Sequence, residues 1–269
     1  MDFQLTSLRS LCRASRYVVL GLLLPSLASC AAVDDGRLDD DDRVTDDGHV
    51  VHIAYVRSGT HAIDPDAQSA HETWATGISC VNISSEPTHI RVRWPDSRVD
   101  ESCEPIVPGQ SYKTFSRYEN QMDGGASVFS DQAVRCTVNV HTEAAAAGPG
   151  PFATYEAARA SSRVLFVQAL ALDGWVGEAV IHNPTDRWQR VGYMDGPTEH
   201  TPLIAPRGHH RLLLAKPFNG SVEVRTIDDV GDPVDGEIVG VSLWRDLSGE
   251  SQSFSAMTGL TAEQGARTV

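Results

Sequence analysis

Two groups of residues in this chain have the types and spacing to do chemistry. Cys30 ends the run Leu27-Ala28-Ser29-Cys30, a thiol set directly behind an apolar stretch, where its ionised form is a nucleophile open to alkylation. The second group lies in SGTHAIDPDAQSAHET (58–73), where His61, Asp64, Asp66 and His71 stand close together. Imidazole and carboxylate ligands of this kind suit zinc or calcium. Their spacing matches neither HExxH nor a cysteine-pair pattern, so a polar loop is the simpler reading, and no metal or cofactor is expected. Trp94 and Trp188 are candidate stacking platforms for a sugar or peptide, with packing at a sheet edge as the plainer alternative. Catalytic signatures are absent: there is no G-x-S-x-G elbow, S-x-x-K motif, P-loop or dinucleotide fingerprint. Only Lys113 and Lys216 supply an amine, which leaves few candidates for lysine-dependent chemistry. The chain reads as non-enzymatic.

The elements around Cys30 say how it would be used. Arg9, Arg13 and Arg16 precede an apolar stretch from Tyr17 to Ala28, too short for a spanning helix of about 20 residues and flanked as a signal peptide is. Leu27, Ala28, Ser29 and Cys30 match the lipobox at every position, and the segment resembles the signal peptides of bacterial lipoproteins. The resemblance implies removal of residues 1–29, a diacylglyceryl group on the Cys30 thiol, and membrane lipid as a partner of the mature protein. Two or more acyl chains make such attachment stable, at about 0.8 kcal/mol per buried methylene. Ala31 and Ala32 stand where the family's inner-membrane retention signal places an aspartate, so the resemblance favours an outer-membrane location.

Residues 30–48 form the next unit. Asp34, Asp35, Asp39 to Asp42, Asp46 and Asp47 crowd into it with almost no apolar content, the composition of a self-repelling, disordered tether. The formal charge of the whole chain is −14. Nucleic acid is therefore disfavoured as a partner; an envelope protein or a glycan is the kind of partner expected of a lipid-anchored surface protein.

Beyond residue 48 the chain repeats itself. Trp74 and Asn82 (WATGISCVN) are followed, 101 residues later, by Trp175 and Asn183 (WVGEAVIHN). IVPGQSYKTF (106–115) aligns with IAPRGHHRLLL (204–214), and Phe152-Ala-Thr-Tyr-Glu-Ala with Phe254-Ser-Ala-Met-Thr-Gly. A period near 100 residues suits two tandem domains rather than a solenoid, placed at 49–160 and 161–260 with a flexible tail over 261–269. HIRVRW (89–94) and RCTVNV (135–140) alternate as half-buried strands do, and turn residues such as Asn183-Pro184-Thr185 separate such runs. Only Glu143 to Ala147 and the tail after Met257 look locally helical. The expected fold is all-β, two antiparallel sandwiches of about seven short strands each. The order of strand, Asn-x-Ser/Thr, strand, Pro-Gly, strand resembles the tandem immunoglobulin-like modules of bacterial surface proteins.

Shared and unshared positions divide core from ornament. Trp74 and Trp175 recur, which predicts core anchors. Trp94 and Trp188 do not. Of Cys80, Cys103 and Cys136, the immunoglobulin-like path implies a Cys80–Cys136 disulfide between facing sheets, with Cys103 left over. Ile181 takes the place of Cys80 in the second copy, so the fold does not require the clamp.

Overall fold

The computed structural model describes residues 48–64, 67–116, 121–142, 152–172, 175–214, 216–246 and 254–261. The lipobox, Cys30, the acidic tether and Glu143 to Ala147 lie outside these residues. Everything regular in the described chain is β. The first half contains β1 (His49–Asp64), β2 (Ala67–Asn82), β3 (Ile90–Arg93), β4 (Val99–Glu101), β5 (Ser111–Phe115), β6 (Met122–Ser130), β7 (Val134–Thr142) and β8 (Phe152–Glu156). The second contains β9 (Arg163–Ala171), β10 (Trp175–His182), β11 (Gln189–Asp195), β12 (Thr198–His200), β13 (Leu203–Ile204), β14 (His209–Arg211), β15 (Phe218–Ile227), β16 (Val239–Asp246), β17 (Phe254–Thr258) and β18 (Leu260–Thr261). The described part of the tail after Met257, as far as Thr261, is thus strand, not helix. Leu260 and Thr261 pair with Leu165 and Val164 of β9, so tertiary pairing overrides a weak local preference.

Both halves are antiparallel sandwiches, and their strand orders correspond. In the first, β4-β3-β6-β1 forms one layer and β5-β2-β7-β8 the other; in the second, β12-β11-β15-β9 and β14-β10-β16-β17 repeat that arrangement. The first half's layers are continuous because β1 changes partners along its length. It pairs with β6 from His49 to Ser58 and with β2 from Gly59 to Asp64, with a bulge between Ile53 and Val56. Alternation places Val134, Cys136, Val138 and Val140 of β7 opposite Ile90, Val92 and Val128 in one core. The second core gathers Val164, Phe166, Ile181, Val191 and Val224.

The two sandwiches stack face on face. Along β10, Ala179 and Ile181 face the second half's own core, whereas Val180 belongs to the core cluster of the first half, with Val239, Val241 and Leu243 of β16. Adjacent residues on a strand point to opposite faces, so β10 and β16 are covered on both sides. For the same reason Ile53 to Ser58 of β1 are all buried without alternation, as in any strand buried on both faces. Close approach is made possible by glycine. A Cβ at Gly125 would lie 2.2 Å from the His182 ring, and one at Gly240 would lie 2.6 Å from Phe166.

The segment 58–73, expected as a polar loop, is instead the far end of the β1–β2 hairpin, with Gly59 opposite Trp74 and His61 opposite Glu72. The extra residues lengthen two strands rather than opening a loop. Replacing Gly125 with alanine should drive the His182 ring from the sheet interface and destabilise the protein by about 2 kcal/mol, as overpacking does. Urea unfolding of the variant beside the parent checks this.

Candidate functional site

Two kinds of polar structure organise the molecule. The first is a pair of equivalent corners. After β2, buried Asn82 donates through its side-chain amide to the carbonyls of Glu86 and Ile106, while its Oδ1 accepts from the backbone N–H and hydroxyl of Ser84. After β10, buried Asn183 donates to the carbonyls of Arg187 and Ala205 and accepts from the N–H and hydroxyl of Thr185. An Asn with both ends occupied fixes each loop at low cost, since the buried amide is satisfied. The recurring Asn-x-Ser/Thr of the sequence is this corner.

The second is a charged seam between the sandwiches. Arg57 of β1 and Arg211 of β14 both reach Glu178 of β10, at 3.6 and 3.5 Å, and the Arg57 and Glu178 side chains are only 6% and 8% exposed. Arg211 also donates to Asp123 of β6 and to the Tyr55 hydroxyl, each at 2.8 Å. His209 stands 3.5 Å from the other Asp123 oxygen. Farther along, Arg245 of β16 is paired with Glu72 on the extended hairpin. Burial, and after it the neighbouring Glu178, hold the Tyr55 phenol well above its ordinary pKa, so it stays protonated. Three guanidinium groups thus meet three carboxylates across the interface. The role of segment 58–73 emerges here: it carries Glu72 to the second sandwich.

The other expected site residues separate under this geometry. His61 contacts the Ser58 carbonyl, 2.6 Å from Nε2, and lies 3.5 Å from the Gln121 amide. The side chains of Asp64, Asp66 and His71 lie outside the described residues. Among the described residues no group of three or more His, Cys, Asp or Glu side chains is arranged to hold a metal ion. Trp94 is not an exposed platform. It is 2% exposed, its indole N–H donating to Asp100 at 2.8 Å and Arg98 lying 4.8 Å above the ring. A local partner for the N–H makes burial favourable, and only the structure supplies Asp100. Trp188 is 62% exposed. Of the two recurring tryptophans, Trp74 is buried beneath Arg57 and Trp175 is half-buried at the start of β10.

Cys80 and Cys136 form a disulfide, but not between facing layers. They sit directly opposite each other on adjacent strands β2 and β7, with Cα atoms 4.0 Å apart. Cys103 is disulfide-bonded too, so no described cysteine is left over. The residues that sequence reasoning missed are Arg57, Asp123, Glu178, Arg211 and Arg245. The only signal was a charge within an otherwise apolar strand, as in WVGEAV and SLWRD.

No family model matches the chain, and no curated protein matches it. Among solved structures it is similar to the CupB6 tip adhesin from Pseudomonas aeruginosa, at 8% identity and a TM-score of 0.18, over 80% of this chain and 89% of that one. A superposition that slight carries no argument about function.

The interface also holds two uncharged imidazoles. Burial lowers His52 to about 4 and His182 to about 3 from an ordinary 6.5. A depressed histidine is at full advantage above pH 6.5, and that stability is lost as pH falls, because the unfolded chain takes up the proton first. Between pH 7 and pH 5 each should remove about 2 kcal/mol of stability. Urea titrations at the two pH values test this, and His182→Phe should roughly halve the difference.

Proposed function

We propose that this chain is a lipid-anchored protein of the bacterial envelope, held through Cys30 and serving a non-enzymatic role in surface binding, adhesion or scaffolding. The observation that carries the reading is Cys30 itself, in register behind Leu27, Ala28 and Ser29 and an arginine-flanked apolar segment. The buried Cys80–Cys136 disulfide supports an oxidising, extracytoplasmic compartment. The acidic segment would space the folded part from an outer membrane. Two sandwiches joined through a shared apolar and charged interface would then form one stiff body at the end of the leash, which suits a molecule that holds or spans rather than one that turns over substrate. A second reading, glycan binding, is favoured by Trp188, a large ring 62% exposed on the loop after the Asn183 corner.

Detergent phase partitioning and mass spectrometry of the native protein test the anchor. The expected result is a detergent-phase protein whose amino-terminal residue is an acylated Cys30, moved to the aqueous phase by Cys30→Ser. A bare Cys30, or a Cys30–Cys103 disulfide in the native chain, would overturn it.

A further inference from the structure

On the first sandwich, the outer face of β5-β2-β7-β8 has an unexplained glycine at its centre. Outward residues stand in registered rows across these strands, and one row reads Phe115, Gly77, Asn139 and Thr154. A glycine inside a strand weakens it, and its usual reasons are a bulge, a bend or the close approach of another molecule. Pairing runs through Gly77 without a shift on either side, and its φ lies outside the left-handed region. Among the described residues, a Cβ there would meet nothing within 4 Å. The Phe115 ring, directly opposite on β5, therefore does not fold over the glycine as an aromatic cover would. It is 66% exposed, and Phe152 on β8, in the next row, is 65% exposed. Two large rings flank an unfilled trough.

The second sandwich shows what the same face becomes when protein covers it. Cys80 stands opposite Cys136 as Ile181 stands opposite Gly240. By that register Gly77 corresponds to Glu178, and Arg135, Thr137 and Asn139 correspond to Val239, Val241 and Leu243. The three aliphatic residues are buried in the core cluster shared with the first half. Their three polar counterparts are not buried. A protein interface needs an apolar centre, which this floor lacks. Nor can a peptide add to it as a strand, because β2 and β7 are paired along both edges here. The floor offers hydroxyls and an amide, with the Thr154 hydroxyl donating to Asn139 Oδ1 at 2.7 Å. Charge stands at the two ends of the adjoining row, in Lys113 and in Glu156, which lies 3.8 Å from Arg135. An uncharged floor between aromatic rings matches an uncharged ligand with many hydroxyls and apolar C–H faces.

We propose that this face binds an uncharged, extended oligosaccharide lying across the strands, with one sugar ring on Phe115, another on Phe152, and the hydroxyls between them on Thr137 and Asn139. The two phenylalanines are three strands and one row apart, about 16 Å at ordinary strand spacing and rise. No single sugar ring touches both. The inference rests on the surface-binding reading and deepens it by naming the chemistry of the partner. The two can fail separately: an acylated protein that ignores every sugar would sink this inference and leave the anchor standing.

Calorimetry on the full-length protein, in a detergent without a sugar headgroup, decides it. The probes are cellotetraose, chitotetraose and maltotetraose, with glucose and N-acetylglucosamine as single-ring controls. At least one tetrasaccharide should saturate and bind at least tenfold more tightly than its own monosaccharide. Phe115→Ala and Phe152→Ala should each weaken it at least tenfold without lowering the melting temperature, since both rings are exposed. Gly77→Val is the sharper variant. Valine suits a strand and has room at this position, so the protein should melt no lower than the parent while binding falls at least tenfold. No saturation by any of the three, equal binding of the monosaccharide, a destabilised Gly77→Val protein, or indifference to all three variants would overturn the proposal. So would a dimer in the ultracentrifuge that Phe115→Ala dissolves, which would give the face to a second copy of the chain.

Discussion

Glu178 is the point on which the arrangement of this molecule turns. It projects from a central strand of the second sandwich into the seam with the first, and neither carboxylate oxygen has a hydrogen-bond partner. What offsets its desolvation is charge, from Arg57 on one side and Arg211 on the other. Such an arrangement contributes little net stability, because the ions lose their hydration. Removing one partner, by contrast, leaves a buried charge uncompensated, at a cost of about 3–5 kcal/mol. Its consequence is geometric. A sheet face made only of valines and leucines could slide on its neighbour, but one carrying Arg57, Asp123, Glu178 and Arg211 has one register that pairs every charge. That register brings Gly125 under His182 and forms a cleft beside them.

The seam also accounts for how the two copies came to differ. Both retain the strand order and the buried asparagine corner, because these close each sandwich upon itself. Several departures lie where the copies touch. The first has a longer β1–β2 hairpin, whose Glu72 reaches Arg245. In the second, His209 and Arg211 on β14 face Asp123 and Tyr55, while His210 turns inward toward Tyr193. Tyr155 of β8 donates its hydroxyl to the Tyr55 carbonyl, and Glu156 exchanges backbone bonds with the Thr258 hydroxyl. The edge strands β8 and β17 thus cover one another, which removes two edges from open pairing.

Local signals carried much of the architecture. Period-two alternation in HIRVRW and RCTVNV placed strands, and the 101-residue offset of Trp74 and Asn82 announced a repeated unit. The asparagine corners were visible as a pattern, though their hydrogen bonds were not. Three features escaped. Segment 58–73 looked like a loop because its His, Asp and Ser residues are common in turns; pairing between Gly59–Asp64 and Ala67–Trp74 decided otherwise. Trp94 stayed open between a stacking platform and edge packing because nothing in its neighbourhood announced that Asp100 would receive its N–H across a hairpin turn. The Cys80–Cys136 route was misplaced because facing and flanking strands carry the same alternation, and only pairing partners distinguish them.

By itself the sequence determined what depends on neighbours along the chain: an apolar segment ending at Cys30, an acidic stretch, β periodicity and two copies of one plan. Each is written in residues a few positions apart, or in a recurring spacing. The tertiary structure alone decided which charge meets which, that Glu72 and Glu178 serve the interface, and that two neutral histidines line a cleft between the halves. Those outcomes depend on contacts between residues as many as 173 positions apart, and a buried ion pair leaves no mark on either of its own strands beyond one unexpected charge.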